Sequence, residues 1–224
     1  MARWRHFLLT MQSMKSPRLT ILVAVVAWFG VLLQLVLSLQ LAMANGKSAG
    51  DGVVAYLGYF TVLTNLLVAI SLSWPLLRPH SAAGRWFQRP GVASAVTVSI
   101  LIVGLAYHLL LRHVWNPQGL QWLADVTLHY ATPLLCLVHG WLAVPPARMA
   151  WRAPLAWALW PLAYVVCALL PGVWLQSYPY PFIDVTALGY PQTLLNSAGL
   201  LIAFLLLGSG LVAISRARLR PLPR

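Results

Sequence analysis

Acidic side chains are scarce in this chain: Asp51, Asp125 and Asp184 stand against 15 Lys and Arg. Charge of either sign is rare too, at 8% of 224 residues, while 60% are hydrophobic and the mean hydropathy is +0.78. Such a composition lies far outside that of a soluble domain and indicates an integral membrane protein. The net charge of +12 does not point to nucleic acid, because the basic residues sit at the ends and in the short linkers of apolar runs, with no basic face to lay on a duplex. Cys136 and Cys167 both fall inside apolar runs, where a free thiol behaves as a small apolar side chain, so neither a disulfide nor a metal site is expected. The chain lacks H-E-x-x-H and a P-loop, which argues against a zinc protease or an NTPase. A serine hydrolase is not expected either, and no cofactor is implied.

Long apolar runs are what the chain has in quantity. A membrane-spanning helix needs roughly 20 mainly apolar residues, and six stretches reach that length, at about 19–43, 53–77, 91–111, 120–143, 154–175 and 191–215. Breakers separate them, among them Asn45-Gly46, Asn116-Pro117-Gln118-Gly119 and Pro145-Pro146. No linker is long enough for a soluble domain, so residues 1–224 are expected to form one all-α, six-span bundle. The basic N-terminus leads into a first run longer than the apolar part of a cleavable signal. With that terminus inside, Arg3, Arg5, Lys15, Arg18, Arg78, Arg85, Arg89, Arg148, Arg152, Arg216, Arg218, Arg220 and Arg224 are all internal, 13 of the 15 basic residues, and only Lys47 and Arg112 are external. The positive-inside rule then puts both termini in the cytoplasm, for a multi-pass protein of the cytoplasmic (inner) membrane.

Polar groups inside apolar runs are the candidates for function. In Gly58-Tyr59-Phe60-Thr61-Val62-Leu63-Thr64-Asn65-Leu66-Leu67, Thr61 and Asn65 lie one helical turn apart with Thr64 beside them, a stripe aimed at a partner rather than at acyl chains. The expected partner is His129, which has Asp125 one turn before it. Thr61 lies eight residues after Val53 and His129 nine after Leu120, so each is expected roughly 12–14 Å below the outer face at 1.5 Å per residue. Asp125 can accept from one imidazole nitrogen and leave the other as a base. The plainer readings are local: a membrane Thr often bonds the carbonyl one turn back, and Asn65 can join helices. His108, near the outer interface, and Asn196, near the outer end of the last span, are further cavity candidates. The aromatic, Pro-rich connection over residues 176–185 reads as a rigid interfacial cap.

Three of these motifs, in order, resemble the androgen-induced membrane proteins: Phe60-Thr61 before Leu-rich sequence, His129 followed by Thr132-Pro133, and Tyr180-Pro181-Phe182 before the last span. Animal members of that family are threonine hydrolases of fatty acid esters of hydroxy fatty acids, and this chain looks like a bacterial relative. The resemblance implies Thr61 as nucleophile and His129 as base. Thr64-Asn65 stands where the family usually has an acid, which keeps Thr64 open as the nucleophile. The roles of Asp125, as orienter of the imidazole, and of Asn65, as donor to an oxyanion, come from spacing alone. The expectation is therefore an intramembrane hydrolase of lipid-like esters whose partners are membrane lipid and its substrate. The alternative is a non-catalytic protein that binds or transports a lipid or small molecule in the same cavity.

Overall fold

The computed structural model describes residues 16–175 and 178–219, the side chains of 171–175 excepted. Arg3, Arg5, His6, Lys15, Gln176, Ser177, Arg220 and Arg224 lie outside the described residues, and with them part of the charge pattern and the start of the expected cap. Among the described residues the chain is helical and contains no strand. Five helices are long and apolar enough to cross a membrane: Pro17–Ala44, Phe60–Leu77, Pro90–Leu111, Ala153–Leu170 and Val185–Ala217. The fold is that of an all-α membrane protein, since backbone groups in lipid must be satisfied within the segment. The fourth apolar stretch is continuous in length over residues 119–142, but Asp125, Thr127, His129 and Thr132 dilute its hydropathy, and it stands apart from those five.

Helix α1 (Pro17–Ala44) begins with Pro17 in its first turn, where the missing N–H costs nothing, and stops at Asn45-Gly46, with Gly46 at φ 70°. The second stretch is not one helix. A short α2 (Ala49–Leu57) opens on a capping box, in which Ser48 Oγ accepts from the Asp51 N–H and the Asp51 carboxylate accepts from the Ser48 N–H. The chain then breaks at Gly58-Tyr59, and α3 (Phe60–Leu77) starts afresh. Tyr59 is extended, at φ −92° and ψ 128°, and this break places Thr61 in the first turn of a new helix instead of two turns into an old one.

After a short α4 (Ala82–Phe87), α5 (Pro90–Ala106) runs through the middle of the molecule and ends in a π-helical turn, Tyr107–Leu111. One side of α5 buries Val96, Ile100 and Val103 against Val23 and Ala27 of α1 and Val68 and Ala69 of α3. Its other side buries Val98 and Ile102 against Ala158 and Phe204. Helix α6 (Gly119–Val126) passes through a second π turn, Thr127–Ala131, into α7 (Thr132–Leu142). The fifth stretch is divided into α8 (Ala153–Trp157) and α9 (Leu159–Leu175). A 3-10 turn, Pro181–Ile183, precedes α10 (Val185–Ala217), whose Asp184 cap accepts from the N–H groups of Thr186 and Ala187. Gly189 at φ 72° and ψ 162°, followed by Pro191, kinks α10, and so the long final rod begins near the predicted 191 although helix starts earlier. Exposed Leu and Val such as Leu22, Val25, Leu134 and Leu206 cover the flanks, as lipid-facing helices require.

Candidate functional site

The π turns of α5 and α6–α7 lie against one another, and polar side chains concentrate there. Gly104 makes this possible: a Cβ at that position would sit 2.9 Å from the His129 carbonyl oxygen and 3.2 Å from Pro133. The extra residue in a π turn re-aims side chains relative to an α-helix, and such turns recur at functional positions. Here Tyr107 stacks on the His129 ring, with centroids 3.9 Å apart and planes at 16°. The Tyr107 hydroxyl donates to Asp125 Oδ2 at 2.5 Å.

Asp125 is 3% exposed, and its relation to His129 differs from the expected carboxylate–imidazole bond. His129 Nδ1 lies 2.9 Å from the backbone carbonyl oxygen of Asp125 and 3.2 Å from its Oδ1. Only the carbonyl contact has hydrogen-bond geometry, and Oδ1 is left buried without a partner. A carbonyl can only accept, so Nδ1 carries the proton and Nε2 is the lone-pair nitrogen of the neutral ring. Nε2 has no hydrogen bond among the described residues. The carboxylate acts on the ring through proximity and through Tyr107.

Thr61 and His129 line one cavity of about 490 Å3, together with Tyr107, Asp125 and Tyr180. It opens at the end of the bundle that carries Lys47, Asp51 and Trp115. No hydrogen bond joins Thr61 to His129. The Thr61 hydroxyl is instead 3.2 Å from the Tyr180 hydroxyl, which also accepts from the Thr61 N–H at 3.2 Å. This backbone donor is free because it belongs to the first turn of α3, where N–H groups have no carbonyl one turn back. Burial pushes the Tyr180 phenol up to about 12, so it is a protonated donor at neutral pH.

The other predicted residues lie around this cavity and not in it. The Asn65 amide donates to the Thr61 carbonyl at 2.8 Å and the Leu128 carbonyl at 3.2 Å. Both of its N–H groups are thereby committed to backbone, so the donor to an oxyanion predicted at Asn65 gives way to a brace between α3 and the π turn of His129. Thr64 is fully buried and accepts from the Trp160 indole at 3.2 Å, on the side facing α9. His108 is exposed, 3.2 Å from the Tyr130 hydroxyl and 3.2 Å from the Arg112 guanidinium, outside the cavity lining. Asn196 donates to the Phe182 carbonyl at 2.9 Å and accepts from Gln192 at 2.8 Å. It holds down the cap that carries Tyr180, and it is not among the cavity residues.

Sequence reasoning missed Tyr107, whose signal was its place beside His108, and gave Tyr180 a part in the cap and in the third motif of the resemblance but none in the site. It also overlooked Gly46-Lys47-Ser48-Ala49-Gly50, which has the G-x-S-x-G spacing of a serine nucleophile turn. In the structure Ser48 is an exposed helix cap bonded to Asp51, with no strand before it, and the motif lacks the strand–turn–helix setting that chemistry needs. Among the described residues no three His, Cys, Asp or Glu side chains converge on a point where a metal could bind. Comparisons with protein-family models, curated proteins and solved structures find no match to this chain.

Proposed function

We propose that the protein is an intramembrane hydrolase of lipid-like esters, a bacterial relative of the androgen-induced membrane proteins, with Thr61 as nucleophile and His129 as base. The observation that carries this reading is the shared cavity in which the Thr61 hydroxyl and an imidazole of defined tautomer meet two buried phenols and a buried carboxylate. Thr61 Oγ attacks the ester carbonyl carbon and its proton passes to His129 Nε2. Collapse of the tetrahedral intermediate expels the alkoxide, which takes that proton and departs as the alcohol. Water, deprotonated by the same nitrogen, then cleaves the acyl-threonine and regenerates the hydroxyl. Asp125 stabilises the imidazolium. Tyr180 takes the role first given to Asn65, donating to the developing oxyanion. For the attack Thr61 exchanges its Tyr180 partner for His129, a tightening of the kind apo sites undergo when substrate arrives.

The topology in this reading is six spans, with 119–142 as the fourth, both termini in the cytoplasm and the site toward the outer leaflet of the inner membrane. The rival reading, a non-catalytic binding or transport protein, draws on the Thr61–Tyr180 bond, which occupies the hydroxyl. Fluorophosphonate labelling separates the two. Labelling that survives Ser48→Ala and disappears in Thr61→Ala is the expected result; folded protein that takes no label overturns the hydrolase. A C-terminal alkaline phosphatase fusion is expected to be inactive, and an active one overturns the orientation.

A further inference from the structure

A second cavity, of about 310 Å3, shares Thr61, Tyr107, Leu111 and Tyr180 with the first and extends from them between α5, α9 and α10. The two differ in chemistry. The first is edged by Gln34, Asn45, Lys47, Asp51 and Gln121, whereas the second is walled by hydrocarbon and aromatic side chains; the Tyr164 hydroxyl in its wall donates to the Gly58 carbonyl at 2.9 Å, and the other further polar residue is Ser197. The Ser197 hydroxyl is itself spent on the Thr193 carbonyl at 2.8 Å. The inner wall is closed: Ile183, Phe204, Val103 and Ile102 are at most 5% exposed. The opposite side is open, because Leu162 of α9 and Leu194 of α10 line the same space and are 42% and 56% exposed. These two lie on the flank of the bundle, where acyl chains of the bilayer would stand.

We infer that this second cavity is the acyl chamber of the site: one linear acyl chain slips in sideways from the membrane between α9 and α10, with its carbonyl carbon arriving at Thr61 and Tyr180. The inference rests on the hydrolase reading for the reaction, but its geometry stands on the cavity. An apolar volume of this size suits a flexible chain, since burial of methylene groups is favourable and needs no polar partner. The alcohol half of the ester then lies in the polar cavity, beside His129, where the proton for the leaving oxygen is held. Such a division separates the two products, with the acid retained on the lipid side and the alcohol released toward Lys47 and Asp51.

The test fills the chamber away from the reacting groups. Wild-type protein and Ser197→Phe, with Leu201→Trp as a second variant should the first not fold, are assayed on para-nitrophenyl acetate, butyrate, octanoate and palmitate. In parallel, palmitate bearing a diazirine near its methyl end is photo-crosslinked and mapped by mass spectrometry. The expected result is that the variant loses palmitate turnover by at least about tenfold relative to butyrate, and that crosslinks in 161–165 and 197–204 of the wild type disappear. Hydrolysis with an unchanged chain-length profile and crosslinks elsewhere overturns the chamber while leaving the hydrolase intact. Chamber crosslinks blocked by Ser197→Phe in a protein that hydrolyses nothing support the chamber and overturn the reaction. A bystander lipid tail in the chamber would give crosslinks without any shift in ester selectivity, and that outcome also overturns the inference.

Discussion

The helix formed by residues 119–142 carries two histidines, ten residues and about 15 Å apart, and their surroundings are opposites. His139 sits in regular α-helix and its Nε2 is 3.0 Å from Thr20 Oγ1. Thr20 donates its hydroxyl proton to the Ser16 carbonyl, so it accepts from His139, and the pair ties α7 to α1. The cavity there, about 300 Å3, holds Ser71, Thr97 and Cys136 but, among the described residues, no acid and no phenol. His129 sits in a π turn, bonds the Asp125 backbone carbonyl one turn back, stacks on Tyr107 and has a carboxylate beside it. The difference teaches that a polar residue in a membrane helix is defined by where its hydrogen bonds end. Those of His139 end on another helix and act as a tie. Those of His129 close locally and leave a nitrogen for something that is not protein.

The largest expected effect breaks the symmetry between the two. Thr61→Ala and His129→Ala should each lower ester turnover by at least about a thousandfold, with the double variant no worse than either, because members of one catalytic unit are not additive. His139→Ala should keep turnover within a few-fold and lose thermal stability instead. Equal losses at both histidines would erase the distinction, and full activity in all variants would end the hydrolase reading.

Next in size is Tyr180→Phe. Removing a donor to an oxyanion costs on the order of a hundredfold in kcat, with KM nearly unchanged. A rise in KM alone would make Tyr180 a substrate contact. The third comparison sets Thr64 beside Thr61. Thr64→Ala removes a bond to Trp160 worth about 1 kcal/mol and should lower Tm by a few degrees with little change in turnover; a dead Thr64→Ala would move the nucleophile by one turn.

The smallest effect concerns the cap. The hydrogen bond from the Thr186 hydroxyl, against the opposing effect of burial and with help from the Ala187 and Thr186 N–H groups, holds the Asp184 carboxyl below its usual range. A folded-state pKa below the unfolded one stabilises at pH above the unfolded value, near 3.9, and that contribution is lost as pH falls through the folded value. Thermal melts of wild type should therefore converge on those of Asp184→Asn as pH is lowered through that window and separate above it. Parallel curves throughout would contradict the capping role.

Several of these features were legible in the sequence because they depend on short-range chemistry. Apolar runs of sufficient length make membrane helices wherever they are placed, and five of the six expected stretches yield helices long and apolar enough to span. Asn65 one turn after Thr61 follows from helical spacing, and its amide does reach the Thr61 carbonyl. The break at Gly58-Tyr59 was less visible, since a lone glycine in a Leu- and Val-rich run does not by itself end a helix. Polar spacing pointed to Asp125 beside His129, but not to a bond made by the backbone carbonyl in place of the carboxylate.

By itself the sequence determined that this is an all-helical membrane protein with a few polar groups buried in its interior, because hydropathy and backbone hydrogen bonding act locally and allow little else. Tertiary structure decided which of those groups share a space. Tyr180 reaches Thr61 across 119 residues of chain, Tyr107 meets His129 only because Gly104 lets two helices close to contact, and both depend on helix breaks and π turns set by packing. Contacts of that kind have no local signature, since their partners are brought together by helices that sequence order leaves free to pair in many ways.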